Sequence, residues 1–317
     1  MAKGPVVCLG IMVADLVGRP VATVPPPGSL SLVDEMGLYQ GGCAVNAAAA
    51  LVRLGVPAQV VGMLGDDLLG HFVRQALTSR GIGVAGVRVT EEAGTSATMV
   101  MVDPDGERRF IHYIGANGAL TLDDIDFEMM RSAAIVHIAG ALVMPGLDGP
   151  PMAQLLRRLQ AANVVVTMDT AWDATGGWLD VLEPCLPHVD YFLPSLAEAR
   201  ALTGHSDPNA VAQALLDLGV GTVALTMGAA GCLVVAGSGD TLRQPAFAVD
   251  VVDATGAGDA FAAGFLAGLW HDWPLEETVR LASAVGALCV TEMGAEGGIT
   301  SLAETQAFME TTPRRHN

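Results

Sequence analysis

Apolar residues recur along this chain in two rhythms, and its chemistry gathers where one rhythm gives way to the other. Residues 6–13 (VVCLGIMV) form a continuous apolar run of the length of a strand buried on both faces, with Asp15 just beyond its end. Residues 16–40 carry no helical pattern and are broken by Pro20 and by Pro25-Pro26-Pro27-Gly28, so they read as β-rich. Gly41-Gly42 opens a helix over residues 44–54 that Gly55 ends, and a second helix spans residues 69–79 after a strand closed by Gly65-Asp66-Asp67. Residues 95–102 and 108–114 form another β region, joined by the hairpin signal Asp103-Pro104-Asp105-Gly106. Beyond residue 125, strands at 134–138, 164–169, 191–193, 222–227 and 232–235 alternate with helices at 151–161, 196–202 and 209–218. Strands separated by helices of this length predict βαβ units and an α/β fold with a largely parallel sheet.

The sharpest change of rhythm comes late. A strand-like run at residues 245–252 leads through Asp253-Ala254-Thr255-Gly256-Ala257-Gly258-Asp259 into an apolar helix that starts at Ala260-Phe261. A second late helix is predicted over residues 278–290. Unpaired N–H groups and the positive dipole end make the start of the first of these helices an anion site. Gly256 and Gly258 let a phosphate approach the backbone. A carboxylate at Asp259 would repel that phosphate, unless its task is to take the proton of a hydroxyl that attacks it. The stretch reads as a phosphoryl-transfer centre, with Asp259 as base and the N–H groups of Gly256, Ala257 and Gly258 as anion hole.

Other candidates stand at the carboxyl ends of predicted strands, where open α/β sheets take their ligands. Asp15 and Asp169 are so placed, with a turn or capping aspartate as the bland alternative for Asp15. Gly41 and Gly42 bring backbone close to a ligand, and Asn46 offers a donor and an acceptor one turn into the helix. Trp172, Asp173 and Trp178 face a substrate or only pack their loop. Gly81-Ile82-Gly83-Val84-Ala85-Gly86 matches a dinucleotide fingerprint in letters alone, since it follows a helix and precedes a strand.

The Asp253–Phe261 stretch resembles the C-terminal signature of the ribokinase-like (PfkB) carbohydrate kinases. Gly41-Gly42-Cys43-Ala44-Val45-Asn46-Ala47-Ala48, Gly65-Asp66-Asp67-Leu68-Leu69-Gly70 and Thr226-Met227-Gly228-Ala229-Ala230-Gly231 are similar to other family motifs, in the same order from about residue 6 to about residue 300. The resemblance implies one kinase domain over residues 1–317 with the ribokinase-like three-layer fold, and a small β-sheet lid built from about 16–40 and 95–114. It implies a sugar bound by Asp15, Gly41, Gly42, Asn46 and Asp169. It implies ATP bound by Ser195, Glu198, Thr226, Gly228 and Gly231, with Ser283 and Ala284 lining the adenine pocket. Mg²⁺ would be held through water by Glu198, although Ser195 stands where the family usually has asparagine, and Glu198 also suits a helix's first turn. Asp253 and Thr255, with the loop at residues 294–298, resemble a site where family members hold a monovalent cation such as K⁺, mostly through carbonyl oxygens. A homodimer through the lid is the implied assembly. Relatives on this scaffold also phosphorylate nucleosides, which would need room beside the lid among Tyr39, His112 and Tyr113. Arg108 and Arg109 on the lid meet an acidic group of the substrate, or form a solvated hairpin pair. A binding protein without catalysis would tolerate loss of Gly256, Gly258 or Asp259, and all three are present.

Composition narrows the rest. Hydrophobic residues make up 51% of 317 and charged ones 16%, enough for a large core. Sixteen basic against 34 acidic residues give a net charge of −18, which argues against nucleic acid bound through a basic surface. Cys8, Cys43, Cys185, Cys232 and Cys289 lack metal-type spacing and read as buried free thiols. With residues 6–13 read as a strand rather than a leader, and no apolar run of membrane-spanning length, the expected location is the cytoplasm.

Overall fold

The computed structural model describes residues 3–105 and 107–315, so Gly106 of the expected hairpin turn lies outside the described residues. The apolar run at residues 6–13 divides. It gives β1 (Val6–Gly10) and, after Ile11-Met12, β2 (Val13–Arg19) in a different sheet. A buried break in a strand needs partners for its backbone, and the side chain of Asn117 supplies them. Asn117 Oδ1 accepts from the Met12 N–H and Nδ2 donates to the Met12 carbonyl, both at 3.1 Å. Asp15 therefore lies inside β2 rather than beyond the end of β1, a correction to the sequence expectation.

β3 (Glu35–Gly41) pairs with β2, and α1 (Cys43–Arg53), β4 (Ala58–Gly65), α2 (Leu68–Ser79) and β5 (Gly83–Thr90) follow. β6 (Ala97–Val102) and β7 (Arg108–Tyr113) form a hairpin, after which α3 (Gly115–Ala119) and α4 (Phe127–Arg131) lead to β8 (Ile135–Ala141). The alternating part runs α5 (Pro150–Ala161), β9 (Val165–Thr170), α6 (Trp178–Leu182), β10 (Tyr191–Phe192), α7 (Leu196–Thr203), α8 (Pro208–Asp217), β11 (Thr222–Thr226) and β12 (Cys232–Ala236). β13 (Thr241–Gln244), α9 (Ala257–Trp270), α10 (Leu275–Cys289) and α11 (Leu302–Thr311) complete the chain. Gly81 ends α2 in the left-handed region and Gly83 begins β5, so the dinucleotide-like letters carry no strand–turn–helix.

Nine strands form one sheet in the order β13-β12-β11-β10-β9-β8-β1-β4-β5, parallel from β11 to β5 with β12 and β13 antiparallel at the edge. Alternate strand residues face two apolar layers. Val7, Leu9, Val136, Ile138, Val166 and Met168 pack with α5, α7 and α8, while Val6, Cys8, Ile135 and Ala139 pack with α1, α9 and α10. On this second face, buried polar His137, Thr167 and Asp169 interrupt the apolar pattern of β8 and β9.

Residues 245–252 do not form the expected strand. The β12–β13 ladder ends at Gln244, Pro245 brings no N–H, and among the described residues the segment makes only the isolated bridge of Phe247 with Arg314. Val251 and Val252 are exposed, because the chain there crosses solvent on its way to α9.

The second sheet has the order β3-β2-β6-β7. Its register sets Tyr39, Asp15, Thr98 and His112 in one row across the four strands, with Gly37, Val17, Val100 and Phe110 in the next row of the same face. On the opposite face the matching row is Leu38, Leu16, Met99 and Ile111, all exposed. One face of this small sheet thus carries polar groups over the main body, and the other offers an apolar stripe to solvent.

Candidate active site

Between the small sheet and the main body lies a cavity of about 1430 Å³. Its walls include Asp15, Gly42, Asn46, Gly256 and Asp259, so residues from opposite ends of the chain converge on one space. The convergence follows from topology: α1 and α9 lie side by side on one face of the main sheet, with their N-termini at its ligand end.

Gly256 caps α9 with φ +71°, and a Cβ there would come within 2.5 Å of Ala295 Cβ. Gly258 has nothing within 4 Å of a Cβ position, so the approach to this helix start is open. The N–H of Ala257 reaches back to the Ala254 carbonyl at 3.4 Å and is only weakly engaged. Asp259 stands in the first turn, half-buried, and its Oδ2 accepts a 2.7 Å bond from Asn46 Nδ2. Burial pushes the Asp259 carboxyl up to about 7, the nearby Asp169 charge adds to the rise, and the Asn46 bond opposes it. A carboxylate poised near neutral pH suits proton abstraction.

The remaining predicted residues divide. Asp15 lines the cavity, and burial raises its carboxyl against the bond from Thr98. Gly41 is itself buried: a Cβ there would lie 2.0 Å from Asp15 Oδ2, so this glycine makes room for the aspartate rather than meeting a ligand. Gly42 starts α1 at φ +93° with Ile11 O only 2.5 Å from its Cβ position, and it does border the cavity.

Asp169 is a correction. It is buried, its Oδ1 accepts from the Gly140 N–H at 2.5 Å, and its Oδ2 lies 3.4 Å from His137 Nε2. His137 Nδ1 shares a 2.9 Å bond with Thr167 Oγ1. Asp169 is therefore an electrostatic neighbour of Asp259 and is not among the residues that line the cavity. The polar interruption of two buried strands was the sequence signal for this cluster.

Ser195 and Glu198 form a capping box at the start of α7, with Ser195 Oγ donating to Glu198 Oε2 at 2.6 Å and accepting from the Glu198 N–H at 3.3 Å. The pattern Ser-x-x-Glu is itself a helix-start signature, so the serine in place of asparagine has a structural reason. Burial raises the Glu198 carboxyl, the Ser195 bonds oppose this, and Asp169 reinforces it. Ser195 is bridged to Thr226 at the end of β11, where Gly228 is exposed and Gly231 turns at φ +89°, its Cβ position 2.0 Å from Gln244 O. Ser283 and Ala284, expected on an adenine wall, are both buried in α10, Ala284 at 0% exposure within the core that α10 shares with α9. Gly286, Ala287 and Leu288, further along α10, are part-exposed.

Arg108 and Arg109 point to opposite faces of β7. Arg109 is half-exposed, 3.7 Å from Asp103, while Arg108 contacts Asp253 from inside the cavity. Asp253 also accepts from the N–H groups of Thr255 and Gly294, at 2.7 and 2.8 Å. Burial works to raise its carboxyl, but Arg108 and these donors hold it below the usual carboxylate range. Tyr39 and His112 border the cavity, whereas Tyr113 lies on the other face of β7. The five cysteines are free, four of them buried and Cys43 partly so. Among the described residues no helix is long and apolar enough to cross a membrane.

The model of the pfkB family carbohydrate kinases matches residues 3–301. Among relatives, an ATP-dependent ribose-1-phosphate kinase of Halopiger xanaduensis is 34% identical over 82% of this chain and 83% of its own. A probable fructokinase-5 of Arabidopsis thaliana is 27% identical over 98% of this chain and 99% of its own. Among solved structures, an Arabidopsis thaliana ribokinase complexed with ribose and ATP superposes with a TM-score of 0.85 at 27% identity, over 98% of this chain and 99% of that one. The chain belongs to the pfkB family of carbohydrate kinases, phosphotransferases with an alcohol group as acceptor.

Proposed function

We propose that the protein is an ATP-dependent kinase that phosphorylates a primary hydroxyl of a small sugar or sugar derivative. The observation that carries this reading is the placing of Asp259: a carboxyl raised towards neutrality, in the first turn of α9, at the wall of a cavity roofed by a second sheet. Asp15 and Asn46 orient substrate hydroxyls, and Asp259 takes the proton of the attacking one. The N–H groups at Gly256, Ala257 and Gly258 meet charge growing on the transferred phosphoryl group. Thr226 and Gly228 hold nucleotide phosphates at the open turn after β11, and Gly231 shapes that turn. Glu198 is the carboxylate suited to a hydrated Mg²⁺, an ion that when bound offsets charge between the phosphates. The small sheet acts as a lid that keeps water from competing for the phosphoryl group, within a single catalytic unit.

A second reading has its own support. Tyr39, Phe110 and Trp172 each leave more than half of their surface exposed on the cavity wall. Such an aromatic wall suits the base of a nucleoside. A homodimer through the apolar row Leu38, Leu16, Met99 and Ile111 is the assembly that would cover this exposed face.

The test is ADP release with Mg-ATP across ketohexoses, ribose, sugar acids and nucleosides, with Asp259→Asn as blank. A sugar-dependent signal absent from the blank supports the first reading, and signal with nucleosides alone moves the function to the second. No acceptor-dependent signal with any of them would contradict both.

A further inference from the structure

Asp253 opens the loop that ends in the anion hole, and its side chain is only 2% exposed. Through its bonds to Thr255 and Gly294 it joins the 253–256 turn to the loop at residues 292–297. Two amide donors do not neutralise a full charge, and an enclosed carboxylate without a cation is strongly disfavoured. The cation here comes from the other sheet. Arg108, the first residue of β7, is 18% exposed and its Nη2 contacts Asp253 Oδ1, the oxygen that also accepts from Thr255.

The family likeness places a monovalent cation beside this carboxylate, held mostly by carbonyl oxygens. These residues do not fit that arrangement, because a guanidinium already supplies the charge at the carboxylate and the Cys289 thiol donates to the Thr255 and Ala295 carbonyls. We propose that Arg108 is the built-in cation of the anion-hole loop, so that the protein needs no monovalent ion at Asp253 and the small sheet is fastened to the loop by the same contact. Two further bonds follow this route: Gln40 Nε2 of β3 donates to Glu296 Oε1 at 3.1 Å, and Arg19 Nη1 of β2 lies 3.6 Å from Met293 Sδ. Arginine suits the role because its fork reaches a carboxylate while remaining charged and weakly hydrated. The phosphotransferase reading gives the loop its purpose, whereas the charge balance can be tested without any substrate.

The experiment is thermal melting of the wild type and Arg108→Ala in KCl, NaCl and tetramethylammonium chloride at equal ionic strength. The large organic ion cannot enter a site built for one carboxylate, so it isolates screening from binding. The wild type should melt at the same temperature in all three. Arg108→Ala should melt lower in tetramethylammonium chloride and recover in KCl or NaCl, and the double variant Arg108→Ala/Asp253→Asn should lose that recovery. Arg108→Lys should resemble the wild type in its indifference to the ion. Once an acceptor is identified, turnover should vary by less than about twofold with the ion in wild type and by about tenfold in Arg108→Ala, a usual size for coupling between sites. Stabilisation of the wild type by K⁺ that Asp253→Asn abolishes would overturn the proposal. So would an Arg108→Ala protein indifferent to all three salts. If Arg108→Ala does not fold, the wild type and its Asp253→Asn variant decide the matter. Failure of every acceptor would sink the kinase reading and leave the melting result standing.

Discussion

Asp253 and Asp259 stand six residues apart on one loop, and their surroundings push them in opposite directions. Asp253 has an arginine and two backbone donors, and its carboxyl is held below the ordinary range. Asp259 is half-buried with one amide donor and a second carboxylate nearby, and its carboxyl is driven up. The first is fixed as a charge that shapes the loop, and the second is left able to exchange a proton. Sequence position gives both aspartates the same standing; the groups that reach them from β7, α1 and β9 separate their tasks.

The largest expected effect removes the exchangeable proton site. Asp259→Asn should lower kcat by roughly 10²–10⁴-fold, the usual range for loss of a general base. ATP binding by calorimetry should change little, and unaltered turnover would end the contrast. Next come the two glycines between the aspartates. Gly256→Ala should cost about 2–4 kcal/mol of stability in denaturant melts, from strain at φ +71° together with the clash at Ala295. Gly258→Ala has room for its methyl group and should stay within about 0.5 kcal/mol of wild type in the same melts. Its kcat should still fall, by about tenfold, because the methyl group stands where phosphate oxygens must approach. Equal stability losses in the two variants would contradict the loop geometry.

The smallest effect is on the pH dependence of stability. Because the folded Asp259 carboxyl lies above its unfolded value of 3.8, the group favours folding below about pH 4 and loses that contribution as pH rises through about 7. Asp259→Asn should therefore melt higher than wild type at pH 8, by a few degrees, with the advantage shrinking as pH falls towards 4. An advantage that grew at low pH would mean the shift has the other sign.

Much of this was legible along the chain. The alternation beyond residue 125 gave the parallel sheet because each βαβ unit is local, and Gly256-Ala257-Gly258-Asp259 marked the helix start because its glycines serve adjacent backbone. The failures depend on distant partners. The run at residues 6–13 breaks because Asn117, more than a hundred residues later, satisfies Met12. Asp169 stands at a strand end as expected, yet it is buried and its Oδ1 accepts from the Gly140 N–H. Arg108 looked like half of a solvated pair until the register of β7 turned it inward. Ser195-x-x-Glu198 was readable as a helix start, and the structure makes it a capping box.

The central claim is that enclosure and Asp169 keep the Asp259 proton exchangeable near neutral pH, and the pH profile of kcat/KM tests it most directly. With the acceptor identified by the panel, kcat/KM of the wild type should rise with pH through a group near 7 and then level. In Asp169→Asn, which removes the neighbouring charge, the same rise should move to lower pH. A wild-type limb at ordinary carboxylate pH, or one that Asp169→Asn leaves in place, would contradict the account.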